Sequence, residues 1–206
     1  MNKDKIIRDL LYKNPQYIRY LKAIKDYSKE DLWIGGGFIR TIVWDYLHHY
    51  EDHHTEFLDI DVFYYKPSCI IKDRDVEIEH FLHTRIQNAR WSVKNQARMH
   101  IHHKGELQYK SLEDALMKFP DTASTIAVKL DNNDNIVIIA PYGFDDLFNL
   151  KVKPTPDFFK NPVKRQRYEQ RINEKQWKQL MMMHNKVDEK NDVGVTYPGC
   201  VFERFP

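Results

Sequence analysis

Apolar residues recur along this chain first at a helical period and then at a strand period. Stripes spaced three and four residues apart predict one or two helices between Asp4 and Tyr27. Pro15 is expected to open the second helix, because proline suits the first position of a helix. A short apolar run at Leu32–Ile34, three glycines and a helical stripe from Phe38 to Leu47 then predict a strand, a glycine turn and a helix.

The rest of the chain continues to mix strand and helix patterns. The polar, histidine-rich stretch 48–56 predicts a loop. Strands are predicted at Phe57–Tyr65, Arg90–Lys94, Ser124–Leu130 and Ile136–Ala140, the last two as a hairpin around a polar turn. Helical segments are predicted at Asp73–Ile86, Asn95–His100, Ser111–Phe119, Gly143–Leu150 and Val163–His184, and Pro154-Thr155-Pro156 is expected to break the chain before the last of them.

This order of elements predicts an α/β (α+β) domain with a small mixed β-sheet flanked by helices. We expect N-terminal helices that pack on the core at 1–30 and the core itself at 31–150. A basic helical extension is expected at 151–186, and a loose polar tail at 187–206.

Length and composition agree with one domain that has an apolar core, since 42% of the 206 residues are hydrophobic. No apolar run approaches the roughly 20 residues that a membrane helix needs, and the N-terminus lacks the apolar segment of a signal peptide. We therefore expect a cytoplasmic protein without a membrane partner. Cys69 and Cys200 lie far apart and outside any CxxC pattern, so neither a disulfide nor a thiol metal site is expected.

The charge of the chain is unevenly distributed. The formal net charge of +2 does not by itself argue for nucleic-acid binding. Residues 151–180, however, hold nine Lys or Arg and three acids. A solvated helix face is the simpler interpretation of this basic stretch. The alternative is a basic arm that contacts a polyanionic substrate, and nucleic acid therefore stays open as a partner.

The triplet Asp59-Ile60-Asp61 is the main candidate for chemistry. In a strand, residues two apart point to the same face, so the two carboxylates are expected side by side while Ile60 faces the core. Two such close carboxylates repel each other unless a cation lies between them. Mg²⁺, or Mn²⁺ in its place, suits two carboxylates together with substrate phosphates.

The three glycines upstream add a second candidate feature. Glycine permits close approach of the backbone, and the N–H groups at a helix N-terminus bind anions. We expect Gly35, Gly36 and Gly37 to hold the outer phosphates of a nucleotide, with Arg40 as a charged donor one turn into the helix. The turn is neither G-x-G-x-x-G nor a Walker A loop.

Four segments in order carry a family resemblance. The run Gly35–Arg40 followed by Leu58–Val62 resembles the head of the DNA polymerase β-like nucleotidyltransferase superfamily, above all class II tRNA CCA-adding enzymes and bacterial poly(A) polymerases. Arg90–Ala97 resembles the family motif that contacts the nucleotide sugar, and Ile139–Leu147 resembles a later Asp-Pro-x-Gly-Gly-x-x-Asp-Leu segment. The later segments also resemble a family of small bacterial nucleotidyltransferase-like proteins.

This resemblance implies a palm-like fold and transfer of a nucleoside monophosphate from an NTP to a hydroxyl, with release of pyrophosphate and two metal ions. It implies that Asp59 and Asp61 are the catalytic metal ligands and that Asn95 contacts the sugar or base. We expect Lys94 and Arg98 to bind phosphate, since both are charged at neutral pH. The acceptor (an RNA end, a protein hydroxyl or a small molecule) and the preferred NTP stay open.

The chain departs from the family pattern at two places. Thr41 replaces an Asp after the turn Arg, and Trp91 replaces an acid that superfamily members often use as a third carboxylate. The candidates to replace that acid are Glu77, Glu79, Asp145 and Asp146. Asp146 has the alternative role of bracing the turn at Gly143.

Histidines form two further groups. His48, His49, His53 and His54 are interpreted as part of a solvated loop, with a zinc site as the alternative. His100, His102 and His103 are interpreted as an exposed strand edge, with contact to phosphate as the alternative.

Three functions follow from these features. The first is nucleotidyl transfer. The second is a catalytically degenerate module that binds a nucleotide and regulates another process, which the missing acid at Trp91 favours. The third is an RNA-binding or interaction protein that uses the basic arm.

Overall fold

The computed structural model describes residues 2–50, 57, 59–103, 105–175 and 199–203. The helices are α1 (Lys3–Lys13), α2 (Pro15–Lys25), α3 (Gly37–Leu47), α4 (Asp73–Arg85), α5 (Leu112–Leu116), α6 (Asp145–Phe148), α7 (Pro156–Lys160) and α8 (Pro162–Lys175). The strands are β1 (Trp33–Gly35), β2 (Ile60–Tyr64), β3 (Trp91–Asn95), β4 (Ala127–Leu130), β5 (Ile136–Ile139), β6 (Lys151–Val152) and β7 (Val201–Phe202). Short 3-10 turns cover Gln96–His102 and Thr122–Ser124.

A five-stranded mixed sheet forms the centre of the described part, in the order β3-β2-β1-β4-β5. Strands β2 and β3 are parallel, with Asp61 opposite Ser92, and the other neighbours are antiparallel. The predicted mixed sheet flanked by helices is therefore confirmed. The predicted hairpin is present as β4 and β5.

The two faces of the sheet are covered differently. Apolar side chains of α1 to α4 pack on one face in a large core that includes Ile34, Val62 and Trp44. The other face carries a smaller apolar cluster with Trp33 and Phe63, closed by the short helix α5. The second face is therefore left open enough for a cleft.

Side chains fix the starts of several helices as the pattern predicts. Pro15 is the first residue of α2, and the Asn14 side chain accepts a hydrogen bond from the Gln16 N–H. Ser111 caps α5 by accepting from the N–H of Asp114 at 3.0 Å. The helix ends three residues before the predicted end at Phe119.

Two predictions at the C-terminal end need correction. Part of the tail expected to be loose pairs with the body: Val201–Phe202 forms a parallel pair with β6, and Cys200 is buried. The proline segment does not only interrupt the chain, because Thr155 caps α7 and Pro156 begins it. The predicted last helix is present as α8 up to Lys175, and its continuation to His184 lies outside the described residues.

Other expectations concern the cysteines, membrane helices and the histidine-rich loop. Cys69 and Cys200 do not form a disulfide. None of the described helices is long and apolar enough to cross a membrane. Most of the predicted histidine-rich loop, residues 51–56, lies outside the described residues, and His53 and His54 with it.

Candidate active site

A cleft of about 440 Å³ lies over the face of the sheet opposite α1 to α4. Alternation along β2 explains why the cleft carries a carboxylate. Ile60, Val62 and Tyr64 are buried in the main core, whereas Asp61 and Phe63 point to the opposite face and line the cleft. The predicted division of this strand into core and functional positions is present in the structure.

The glycine turn closes one end of the cleft, and each glycine meets a different constraint. A Cβ at Gly35 would lie 2.4 Å from the carbonyl oxygen of Ile126, so this residue lets two strands approach. Gly36 has φ +62°, and a Cβ there would lie 3.4 Å from Oδ2 of Asp61. Gly36 and Gly37 line the cleft. The turn backbone and the β2 carboxylate therefore meet in one place.

The helix that follows the turn offers N–H groups to the cleft. Helix α3 begins at Gly37, and in the described part of the chain no side chain caps its N-terminus. The first N–H groups of a helix have no partner inside the helix and carry partial positive charge. An anion in the cleft can accept hydrogen bonds from them.

Lys94 and Ser92 of β3 complete this end of the cleft. Nζ of Lys94 lies 3.3 Å from Oδ1 of Asp61 and donates to the hydroxyl of Ser92 at 2.7 Å. Asp59 directly precedes β2 and is exposed, and strand alternation places it on the same side as Asp61. The structure thus brings together Gly36, Gly37, Asp61 and Lys94 in the cleft, whereas Asp59 is not among the described residues that line it.

Arg40 has a different environment from the one expected. It is buried, donates from Nη1 to the hydroxyl of Ser124 at 2.7 Å, and lies over the ring of Trp44 at 5.4 Å. It does not line the cleft, whereas Ser124 does. Arg40 therefore supports the cleft from behind by fixing Ser124.

Asn95 and Arg98 also point into the protein. The Asn95 amide accepts hydrogen bonds from the N–H groups of Lys66 and Ala97 and donates to the carbonyls of Lys66 and Cys69. These four bonds use both donors and both acceptor lone pairs of the amide. Arg98 forms a buried ion pair with Asp75. Both residues hold segment 66–71 to β3 rather than line the cleft.

None of the candidates for a third carboxylate lines the cleft. Asp145 pairs with Lys3, and Asp146 accepts from Thr122 instead of bracing Gly143. Glu77 bonds Lys29, Arg74 and Tyr27, and Glu79 accepts from the N–H of Val93. Among the described residues, no group of three acids, histidines or cysteines is arranged to hold a metal.

The strand register explains why Trp91, which replaces the missing acid, does not face Asp61. Trp91 is buried against Tyr20, with ring centroids 5.7 Å apart and nearly perpendicular planes, so it belongs to the core face of β3. Ser92 is the β3 residue opposite Asp61. An acid that joined Asp61 from this strand would therefore stand at Ser92.

The far side of the cleft is basic, which sequence reasoning only partly indicated. Its charged lining residues are Lys118 at the end of α5 and Arg167 and Arg171 of α8, and His102 and His103 stand beside them. His102 is the last residue of the 3-10 turn and His103 follows it, so the two histidines do not form the expected strand edge. The signal in the sequence was the excess of Lys and Arg at 151–180, interpreted mainly as a solvated face.

Asp121 is a site-supporting residue that sequence reasoning missed. It is fully buried, its Oδ1 accepts from the N–H and the hydroxyl of Ser124, and its Oδ2 lies 3.7 Å from Nε of Arg171. Its burial follows from tertiary packing, and nothing in the local pattern around it distinguishes it from a loop aspartate.

Comparison with known proteins identifies the family. A family model described as "Nucleotidyltransferase" matches residues 22–183, which is most of the chain. The chain belongs to the nucleotidyltransferase family. No protein with a curated description matches it. The superfamily predicted from the glycine turn and the Asp59-Ile60-Asp61 strand is thereby confirmed.

Solved structures agree with this family. A structure determined by NMR, described as revealing a CCA-adding enzyme head domain, is 25% identical with a TM-score of 0.79, covering 99% of this nucleotidyltransferase chain and 97% of the other. A CCA-adding enzyme in complex with CTP is 18% identical with a TM-score of 0.53. The Thermotoga maritima CCA-adding enzyme complexed with tRNA is 17% identical with a TM-score of 0.51.

The larger enzymes are similar in fold over only part of their length. This nucleotidyltransferase covers 42% of the CTP-bound enzyme and 41% of the tRNA-bound enzyme, while 81% of its own chain is matched in each case.

The residues of the cleft fit a divalent metal that is shared with a substrate. The ammonium of Lys94 beside Asp61 shows that this position accepts positive charge. Mg²⁺ is usually held by one or two carboxylates and completes its coordination with substrate phosphates and water. Asp59 and Asp61 supply two carboxylates, so they suit such an ion without a third.

Proposed function

We propose that this nucleotidyltransferase transfers a nucleoside monophosphate from an NTP to a hydroxyl acceptor and releases pyrophosphate. The observation that carries the proposal is that Gly36 and the Asp61 carboxylate line the same cleft so closely that a Cβ at Gly36 would lie 3.4 Å from Oδ2 of Asp61. A phosphate-binding turn and a metal-binding carboxylate that meet in one cleft are what a metal-bound triphosphate requires. Neither feature alone would indicate this chemistry.

The glycine turn would bind the outer phosphates. Gly36 and Gly37 have no side chains, so the phosphates can approach the first N–H groups of α3 closely. The same phosphates lie within the field of Lys94, whose ammonium is a mobile point charge. Arg40, Asn95 and Arg98 take part only by holding the walls of the cleft in place.

Asp59 and Asp61 would hold Mg²⁺, which neutralises phosphate charge and lowers the pKa of a bound hydroxyl when present. The acceptor hydroxyl gives up its proton to solvent while its oxygen attacks the α-phosphorus in line, and the bond from that phosphorus to the oxygen that bridges to the β-phosphorus breaks. Pyrophosphate leaves with the electron pair. In this scheme Lys94 neutralises Asp61 while the cleft is empty and turns to the phosphates when substrate enters.

The acceptor is the open part of this proposal. The similar head domains include one bound to CTP and one bound to tRNA, which supports an NTP as donor and makes a nucleic-acid end one acceptor to test. Protein hydroxyls and small molecules are the other classes. The donor half of the reaction can be tested without knowing the acceptor.

Pyrophosphate release in the presence of Mg²⁺ tests the donor half. Candidate acceptors are supplied as RNA ends, a protein mixture and small hydroxyl compounds. We expect Asp61→Asn to slow release on the order of 100-fold or more, since it removes one of the two carboxylates proposed to hold Mg²⁺ at the reacting phosphate. Asp9→Asn, an exposed aspartate in a surface pair with Lys5, is the matched control and should retain the wild-type rate. Equal rates in wild type and Asp61→Asn would contradict the proposal.

A degenerate nucleotide-binding module is the second candidate function. The structure favours it in one respect: Ser92 faces Asp61, and no third acid lines the described cleft. This function predicts Mg²⁺-dependent NTP binding without pyrophosphate release from any acceptor class. Release above the Asp61→Asn background would rule it out.

A further inference from the structure

The far side of the cleft carries a concentration of positive charge that the proposed reaction leaves unassigned. We name Lys118, Arg167 and Arg171 the basic wall. Asp61 is the only acid among the described residues that line the cleft, against four cations, the basic wall and Lys94. A cleft with this surplus favours an anionic ligand.

Arg171 is held in place but keeps free donors. Its Nε faces Oδ2 of Asp121 at 3.7 Å, and Asp121 is itself fixed by two hydrogen bonds from Ser124. About a third of the Arg171 side chain is exposed, and the residue lines the cleft. Within the described part of the chain, its terminal nitrogens have no hydrogen-bond partner. The buried carboxylate therefore orients a guanidinium whose fork is available.

Arg167 lies one helical turn before Arg171 and on the same face of α8. Its Nη1 donates to the carbonyl of His102 at 3.2 Å and lies 3.3 Å from Nδ1 of His103. Burial, reinforced by the positive charge of Lys164, lowers the pKa of His103, so the ring is neutral near pH 7 and can accept this bond. In the described ranges no carboxylate lies within ion-pair distance of Arg167.

The nearby acids are already occupied by other cations. Glu106 and Asp157 pair with the buried Lys164, and Asp157 also pairs with Lys118 at 3.1 Å. These carboxylates therefore neutralise Lys164 and part of Lys118 but not Arg167. Arg167 is therefore the cation of the basic wall without a carboxylate partner among the described residues, while Arg171 faces Asp121 through Nε alone.

We propose that Arg167 and Arg171 bind a phosphate group of a ligand in the cleft. The inference rests on the proposed nucleotidyl transfer, because that reaction puts a phosphate-bearing ligand there. The planar fork of Arg matches phosphate oxygens, and two arginines one turn apart can share one phosphate. The phosphate comes either from the outer part of the NTP or from a phosphorylated acceptor.

Titration of inorganic pyrophosphate without metal tests this site directly. We expect the Arg167→Gln, Arg171→Gln double variant to bind pyrophosphate roughly tenfold more weakly or worse. Arg165→Gln is the matched control, because it also removes a positive charge from α8 but at a residue that does not line the cleft. It should bind as wild type does. Equal binding by all three proteins, or an equal loss in both variants, would overturn the proposal.

A second variant keeps the test valid if loss of Arg171 disturbs the fold by leaving Asp121 unpaired. Arg167→Gln alone keeps that ion pair and should still weaken pyrophosphate binding several-fold. The Asp59→Asn, Asp61→Asn variant should retain pyrophosphate binding through the basic wall. Failure of nucleotidyl transfer and failure of the basic wall are therefore separate results.

Titration of Mg²⁺ with each NTP then identifies the source of the phosphate. If the double arginine variant loses NTP affinity along with pyrophosphate affinity, the basic wall holds the outer phosphates of the NTP. If NTP affinity is unchanged while pyrophosphate affinity falls, the basic wall holds a phosphate of the acceptor. Both results support the site and differ in its substrate.

Discussion

Adjacent glycines in the turn have distinct physical reasons to be glycine. At Gly35 a side chain would collide with the Ile126 carbonyl, at Gly36 the positive φ and the Asp61 carboxylate both oppose one, and at Gly37 the nearest atom is 3.6 Å away. Only Gly36 combines a positive φ, which would strain any other residue, with a Cβ position close to a proposed metal ligand. Single substitutions can therefore separate the fold of the turn from its use.

The substitution Gly36→Ala should damage nucleotide binding and stability together. A side chain at φ +62° costs about 1–3 kcal/mol of folding free energy, and its Cβ would press against Oδ2 of Asp61. Gly37→Ala, which meets only ordinary contacts, is the control and should change stability by less than about 0.5 kcal/mol. Urea denaturation and Mg²⁺-dependent NTP titration measure the two effects. NTP affinity in Gly36→Ala equal to that of wild type would show that the turn does not hold the nucleotide.

At the residue scale, the sequence separated metal ligands from structural residues only in part. Asp59, Asp61, Gly36, Gly37 and Lys94 were predicted from alternation, glycine geometry and fixed charge, and Asp61, Gly36, Gly37 and Lys94 meet in the cleft. The same reasoning also selected Arg40, Asn95 and Arg98, which bond to the protein interior. A polar residue next to a motif does not show whether its partner is a ligand or a backbone carbonyl.

At the element scale, α8 is attached to the body by a buried ion cluster. The Lys164 side chain is 1% exposed and pairs with Glu106 and Asp157, while Tyr168 of the same helix donates to the carbonyl of Val152 at 2.8 Å. These contacts turn the face with Arg167 and Arg171 toward the cleft. The placement of the basic wall therefore depends on one buried lysine.

Replacing that lysine should destabilise the fold strongly. Lys164→Met leaves the partly buried Glu106 without a cation and Asp157 with Lys118 alone, and breaking a buried pair in this way costs about 3–5 kcal/mol. Lys160→Met removes the same charge from an exposed position of α7 and should cost less than about 0.5 kcal/mol. Urea denaturation at pH 7 compares the two, and similar values would show that the cluster does not anchor α8.

The same cluster gives a pH dependence of known sign. Burial alone would raise the pKa of Asp157, but hydrogen bonds from Lys164 and Lys118 bring it below its ordinary value. A depressed pKa means that Asp157 adds stability above its unfolded pKa of about 3.9, and that this is lost as pH falls through the folded pKa. At acidic pH, the slope of the free energy of unfolding against pH, measured by urea denaturation, should be flatter in Lys164→Met than in wild type.

Elements with a local pattern were predicted well, and docked elements were not. The alternation of β2 and the apolar stripes of α1 to α4 are visible in the sequence because each follows its own period. The direction of α8 is set by Lys164, which composition alone shows as one more charge on a solvated helix. The pairing of Val201–Phe202 with β6 depends on residues far apart in the chain. No local sequence pattern predicts such a contact.

At the scale of the whole molecule, the fold places two chemically different walls across one cleft. The sheet supplies the carboxylates, the glycine turn and Lys94, and the C-terminal helix supplies the basic wall. The order of motifs predicted the first wall because the family resemblance covers it. The second wall is assembled by tertiary packing, which is why it was seen only as a charge excess.

Calorimetric titration of each NTP with Mg²⁺ into wild type and into the Asp59→Asn, Asp61→Asn variant tests the central claim most directly. The account predicts that at least one NTP binds wild type, that binding requires Mg²⁺, and that the double variant loses it. A thermal melt of the variant should match wild type, because Asp59 is exposed and Asp61 lines the cleft rather than the core. NTP binding that persists in the variant, or that needs no metal, would contradict the assignment of the nucleotide to this carboxylate pair.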